Sequence, residues 1–189
     1  KFRRQYPDIS LDIQLTDQVS DLTHDQIDIA IRVGVKPQDR VVSRRLSDNN
    51  FVLVASPSYL DTHGTPLNLA QLNDHRSLYY RGPHAVLYWQ ANINGEWRQL
   101  NNKANIISDH GGGIVKAAVE GDGIALLPEW GIEKELSEKK LQVINLSDAE
   151  VVISRAPETG IYLLYIKPKY QIQKIKVAVD FLITELGTG

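Results

Sequence analysis

SDHGGGIVKAAVEGDGIALLPEW, residues 108–130, is the stretch whose reading decides the fold of the whole chain. It predicts a helix start, a short helix, a glycine stop, a buried strand and then Pro128. Asp109, or Ser108, is placed to cap the helix by accepting from backbone N–H groups two or three residues on. Gly111, Gly112 and Gly113 cover the first turn, where each glycine gives up about 1 kcal/mol of helix propensity against alanine. In return they present N–H groups with no side chain in front of them. Gly121 stands where a left-handed C-cap belongs. Ile124-Ala125-Leu126-Leu127 suits a strand covered on both faces. Helix N-termini at the carboxyl ends of such strands favour anions, through the helix dipole and the free donors. Two readings are open at this point: a ligand corner, or an ordinary helix–strand unit with a glycine-rich entry.

Working outward, the upstream chain alternates strands and helices. Lys1–Tyr6 reads as the end of a helix, with Phe2 and Tyr6 on one face and Pro7 turning the chain away. Ser10–Leu15 carries Leu11, Ile13 and Leu15 on one side, a strand signal. A short polar helix is expected around Val19–Leu22. Ile27, Ile29, Ile31 and Val33 then alternate up to Gly34, which makes a βαβ unit. Val41–Leu46 and Phe51–Ala55 are further strands. Ser56-Pro57 opens a helix that Gly64 closes. A short helix over Leu67–Leu72 and a strand over Ser77–Arg81 lead to Gly82-Pro83, a candidate lobe boundary.

Downstream, Tyr88–Leu100 reads as a hairpin around Asn94-Gly95, the pair that favours a type I′ turn. Ala104–Ile107 is a strand feeding the opening stretch. Glu129–Lys140 is a charged helix with Ile132 and Leu136 facing inward. Leu141–Leu146 and Ile161–Ile166 are strands. The last helix, about Tyr170–Leu186, carries Ile172, Ile175, Val179 and Leu182 as its inward stripe. The alternation defines an α/β protein.

Composition narrows the function. The 189 residues suffice for two small lobes, and 42% hydrophobic with 23% charged residues is an ordinary globular balance. A formal net charge of −2 argues against this segment itself gripping nucleic acid, which needs a basic face. The local basic clusters, Arg3-Arg4 and Arg44-Arg45, are too short for that. With no cysteine there is neither a disulfide framework nor a thiolate metal site, which fits a reducing compartment. The sequence has no export signal and no apolar run long enough to span a bilayer. Methionine is absent, even at position 1, so the chain is expected to be a fragment or a processed product. There is no Gly-x-Ser-x-Gly elbow, Walker loop or His-Glu-x-x-His, and Gly121-x-Gly123 lacks the dinucleotide-loop spacing. No catalysis and no cofactor are expected. His24, His63, His75 and His84 show no metal-ligand spacing, so no metal site is expected either.

Several motifs occur together and in order: Tyr6-Pro7 before a strand, Asp28-Ile29-Ala30-Ile31-Arg32-Val33-Gly34, and Ala55-Ser56-Pro57-Ser58-Tyr59-Leu60. Gly64-Thr65-Pro66 with Leu72 and His75 follows, then Gly121-Asp122-Gly123-Ile124-Ala125-Leu126-Leu127-Pro128. Over essentially its whole length the chain resembles the effector-binding regulatory domain of LysR-type bacterial transcriptional regulators. The resemblance implies a two-lobed fold like type II periplasmic binding proteins, with two Rossmann-like subdomains joined by two crossover strands. Subdomain I would take residues 1–78 and 166–189, and subdomain II residues 79–165. It also implies a cytoplasmic, dimeric or higher homo-oligomeric sensor of a small-molecule effector. DNA would be bound only by a helix-turn-helix module upstream, and no membrane is involved. The family begins this domain with a strand between those at Leu11–Leu15 and Ile27–Val33, and that strand is expected to be missing here. The alternative is a periplasmic solute-binding protein of a transporter.

Within that resemblance, effector contact is expected from Thr16, Asp17 and Gln18 in the first lobe. In the second it is expected from Ser108, Asp109, His110 and Gly111, with Leu127, Pro128 and the crossover residues Tyr80 and Arg81 nearby. For Thr16–Gln18 the competing reading is a polar turn with a helix cap. For His110 it is a solvent-exposed histidine at a helix start, and for Arg32 a surface ion pair. Gly112→Val is expected to weaken effector binding more than folding. Effector identity, target genes and the direction of regulation are not encoded in any motif here.

Overall fold

The computed structural model describes residues 1–16, 22, 27–36, 41–155 and 159–187. In chain order the first elements are α1 (Phe2–Gln5), β1 (Ile29–Val35), β2 (Val42–Asp48), β3 (Phe51–Ala55), α2 (Pro57–His63), α3 (Leu69–Asn73) and β4 (Ser77–Tyr80). Then come β5 (Gln90–Ile93), β6 (Glu96–Gln99), β7 (Ala104–Ser108), α4 (Gly111–Glu120) and β8 (Ile124–Pro128). Last are α5 (Glu133–Ser137), β9 (Gln142–Ile144), β10 (Glu150–Val152), β11 (Thr159–Tyr165) and α6 (Gln173–Leu186).

The chain packs as two units, residues 1–49 with 156–189, and residues 50–155. The sequence boundaries at 78/79 and 165/166 differ from this division. β3 pairs with β8 on one side and β9 on the other, which draws the whole of residues 50–78 into the second unit. β11 pairs with β1 and β2, which places it in the first.

The first unit is built on a three-stranded antiparallel sheet, β1-β11-β2. β11 is the apolar middle strand. On one face Leu163 and Tyr165 join Leu46 and the buried Ile175 and Val179 of α6; on the other Tyr162 and Leu164 meet Leu22. Phe2 of α1 packs at a tilt on Tyr6 and edge-to-face on Phe181 of α6, at 5.0 and 5.1 Å between centroids. Residues Ser10–Leu15 form no strand, contrary to the alternating pattern, and Leu11, Ile13 and Leu15 are 45%, 72% and 95% exposed. Alternation specifies two faces but supplies no partner, and an extended segment without a ladder to join has its backbone satisfied by water. β1 therefore enters no parallel βαβ pairing with this segment. The helix expected at Val19–Leu22 lies, apart from Leu22, outside the described residues.

The second unit carries a five-stranded mixed sheet, β7-β4-β8-β3-β9, and a small antiparallel sheet, β10-β5-β6. β4 runs parallel to both β7 and β8. Its local signals act as read. The Ser56 hydroxyl caps α2 by accepting from the Tyr59 N–H, with Pro57 in the first turn. Asn94 and Gly95 both take positive φ, 52° and 91°, as a type I′ turn requires. Gly121 closes α4 in the left-handed region at φ 87°, ψ 24°. The expected helix over Glu129–Lys140 is shorter: a 3-10 turn at Glu129–Gly131, then α5. α4 covers one face of the large sheet, where Ile114, Ala117 and Ala118 pack on Val54, Leu78, Ala125 and Leu127. The other face holds Trp89, Tyr79, Tyr59 and Leu72, all nearly inaccessible.

Candidate functional site

The carboxyl ends of β7, β4 and β8 come together in the second unit. Tyr80, last in β4, stands opposite Ser108, last in β7. The Arg81 N–H donates to the Ser108 carbonyl at 2.8 Å. β8 ends alongside at Pro128, after the buried Leu127. In open α/β sheets the space beyond such strand ends is where ligands lie.

The turn from β7 into α4 is held by two side chains in series. The Ser108 hydroxyl accepts from the His110 N–H at 3.1 Å. The His110 ring then caps the helix, its Nδ1 accepting from the Gly113 N–H at 2.9 Å. This corrects the expected cap at Asp109 or Ser108. The helix begins at Gly111, so the N-cap position is His110, and the Ser108 hydroxyl is engaged one step earlier. A backbone N–H can only donate, so Nδ1 is the lone-pair nitrogen and the neutral ring carries its proton on Nε2.

The glycines follow from this cap. A Cβ at Gly112 would sit 3.1 Å from His110 Cε1, and one at Gly113 would sit 3.3 Å from Nδ1. A Cβ at Gly111 would meet nothing within 4 Å. Gly112 and Gly113 thus make room for the ring, while Gly111 opens the corner. Gly112→Val would disturb the cap as well as the corner, which makes Gly111 the cleaner probe. The N–H groups of Gly111 and Gly112 find no acceptor among the described residues. As first-turn amides they have no intrahelical partner, and they lie at the positive end of a 10-residue helix.

The structure therefore groups Tyr80, Arg81, Ser108, Asp109, His110, Gly111, Leu127 and Pro128 at one corner of the second unit. They differ in what they offer. Arg81, Asp109, His110 and Gly111 are exposed, while Tyr80, Ser108 and Pro128 are half-buried. Leu127 is 5% exposed and its side chain belongs to the core under α4. Thr16 belongs to the first unit and is exposed; Asp17 and Gln18 lie outside the described residues. Trp130, 48% exposed in the turn after β8, was not singled out from sequence. Its signal was present: a large aromatic two residues past the strand end that borders the corner. Arg32 lies within β1, opposite Tyr162. His75 is buried, His63 stacks on Tyr59 and His84 is exposed, while His24 is outside the described residues. Among the described residues no three His, Asp or Glu side chains group to hold a metal, and no helix is long and apolar enough to cross a membrane.

The arrangement is suited to binding rather than to proton transfer: it offers two amides without an acceptor among the described residues and an imidazole fixed by the cap. The His110 Nδ1 lone pair is already engaged by the helix.

A sequence model of the LysR substrate binding domain matches residues 1–187. HTH-type transcriptional activator TtdR of Escherichia coli K12 is 29% identical over 182 residues, covering 95% of this chain and 56% of that protein. HTH-type transcriptional regulator CrgA of Neisseria meningitidis is 28% identical over 189 residues, covering all of this chain and 61% of that protein. The solved structure of CrgA covers 99% of this chain and 62% of its own, with a TM-score of 0.83 at 25% identity. Full-length AphB of Vibrio cholerae, a virulence activator, covers 98% and 61%, with a TM-score of 0.78 at 28% identity. This chain thus spans somewhat over half the length of these relatives. The fold is α/β and of the type II periplasmic-binding-protein kind shared by these regulatory domains.

Proposed function

Since the chain belongs to the LysR substrate binding domain family, we propose that it senses a small-molecule effector and passes the signal to a DNA-binding module elsewhere in a longer transcriptional regulator. The effector site in this reading is the corner at the start of α4. The observation that carries it is the pair of amides at Gly111 and Gly112 with no acceptor among the described residues, beside a His110 ring whose Nδ1 caps the helix. Two backbone donors set at a positive helix end favour a ligand with carboxylate or carbonyl oxygens. Thr16, Asp17 and Gln18 are proposed as further contacts. The protein acts by binding rather than catalysis, in the cytoplasm and as a homo-oligomer. Switching requires that the effector bind one arrangement of the protein better than another. The solute-transport alternative is not favoured, since the relatives bear names of transcriptional regulators.

All three tryptophans, Trp89, Trp97 and Trp130, lie in residues 50–155, so their fluorescence reports the unit that carries the corner. A thermal screen of small carboxylates should stabilise this unit, by about 2.7 kcal/mol at a hundred times Kd. Gly111→Val, which meets no neighbour at its Cβ, should fold normally and lose that response. No response from any carboxylate, or equal responses from wild type and variant, would remove the corner from the site. A monomeric mass in light scattering would count against the homo-oligomer.

A further inference from the structure

At the far end of α4 lies a second histidine node that the proposed function does not use. The Tyr59 hydroxyl lies 3.1 Å from His75 Nδ1 and accepts from the Arg76 N–H at 3.2 Å. In the neutral tautomer with its proton on Nε2, Nδ1 accepts from the Tyr59 hydroxyl, whose oxygen at the same time accepts from the Arg76 N–H. Both residues are buried, at 3% and 8% exposure. The same residues seat the corner that ends α4. The Arg76 carbonyl accepts from the Ile124 N–H at 2.9 Å, and Gly121 sits against Ser56, Ser58 and Tyr59. The charged and titratable groups that act on the ring are His63, stacked on the Tyr59 ring from α2, and Asp74, beside it in the turn after α3.

We propose that Tyr59, His75 and Arg76 form a proton-sensitive anchor for the C-terminal corner of α4, so that protonating His75 loosens the helix whose other end is the proposed effector corner. A proton on Nδ1 would turn that nitrogen into a second donor toward the Tyr59 oxygen and leave the hydroxyl proton without its acceptor. Burial first, and then His63, hold the His75 pKa below its usual value, while Asp74 pulls the other way. The neutral form is therefore the one the fold favours. The unfolded chain binds the extra proton, so stability is lost as pH falls below the unfolded value of about 6.5. The link to effector binding rests on the reading of the α4 start as the ligand corner; the anchor itself does not.

Hydrogen exchange on the whole chain, corrected for intrinsic rates, tests the anchor without any ligand. From neutral pH down to about pH 5, below the ordinary histidine titration, protection of Gly121, Asp122 and Ile124 should fall. The fall should approach tenfold for each pH unit separating the folded and unfolded titrations of His75, up to a ceiling of about thirtyfold at pH 5. His75→Gln, which keeps an acceptor for Tyr59 but cannot titrate, should flatten that dependence. NMR titration of the wild-type His75 ring gives a readout that needs no variant to fold, and should place it below a peptide histidine. The proposal is overturned if His75 titrates at or above the ordinary value, if protection at the corner does not change with pH, or if His63→Gln rather than His75→Gln removes the change. A failed carboxylate screen beside a pH-dependent corner would sink the effector reading and leave the anchor standing.

Discussion

The His110 cap makes adjacent glycines respond oppositely to the same methyl group. Gly111→Ala adds a Cβ that meets nothing within 4 Å, and should gain about 0.5–1 kcal/mol from helix propensity and a less flexible unfolded chain. Gly112→Ala has the same gain available, but its methyl lies 3.1 Å from His110 Cε1. The ring must move, and loss of an N-cap costs about 1 kcal/mol, so the two effects nearly cancel. The two variants should therefore differ by about 1 kcal/mol, or about 0.5 M in urea midpoint for a slope near 2 kcal/mol/M. Tryptophan fluorescence during urea unfolding measures this, because every tryptophan is in the second unit. A double-mutant cycle sharpens the test. Once His110→Ala has removed the ring, Gly112→Ala should recover the full gain seen at Gly111. If both alanines stabilise alike in the wild type, or if removing the ring restores nothing, the ring is not what holds those glycines.

Two further expectations address the core around the site. Gly123→Ala would place a Cβ 2.6 Å from the Arg76 carbonyl oxygen, a backbone atom that cannot swing aside, and should cost about 3 kcal/mol in urea unfolding; a loss below about 0.5 kcal/mol would contradict that packing. Tyr79, 0% exposed in the core, has its pKa raised chiefly by burial. Its neutral form contributes stability that is complete below the unfolded value of about 10 and is lost as pH rises through the folded value. Phenolate absorbance should thus show Tyr79 ionising only with unfolding of the second unit, and a single smooth titration of all eight tyrosines with circular dichroism unchanged would refute this.

What was legible in the sequence was chemistry that acts within a few residues. Ser56-Pro57 caps α2, Asn94-Gly95 makes the hairpin turn, and Gly121 closes α4, each because one residue type fits one backbone requirement. Grouping Ser108–Gly111 with Tyr80 and Arg81 was legible through family resemblance, and the parallel pairing of β4 with β7 supplies its physical reason. Partner choice was not legible. Leu11, Ile13 and Leu15 alternate as cleanly as Ile29, Ile31 and Val33, yet only the latter find a strand to join. The cap was misread because the usual acceptors, Asp109 and Ser108, drew attention from an imidazole, whose role depends on which nitrogen holds the proton. β10 was missed because its three residues carry too little pattern to stand out.

The placement of β11 also governs the order in which the molecule can be made. Residues 50–155 are continuous, and every strand of their two sheets pairs within them. Emerging from a ribosome, this unit has all its partners once β10 has left the tunnel. The first unit is different. Its strands β1 and β2 pair with β11 and not with each other, and β11 is separated from them by that entire insert. Until residue 165 is synthesised, β1 and β2 wait with their ladder groups unpaired, which is when a strand edge is most open to wrong partners. Translation speed across residues 50–165 then sets how long these two strands are exposed to misassembly.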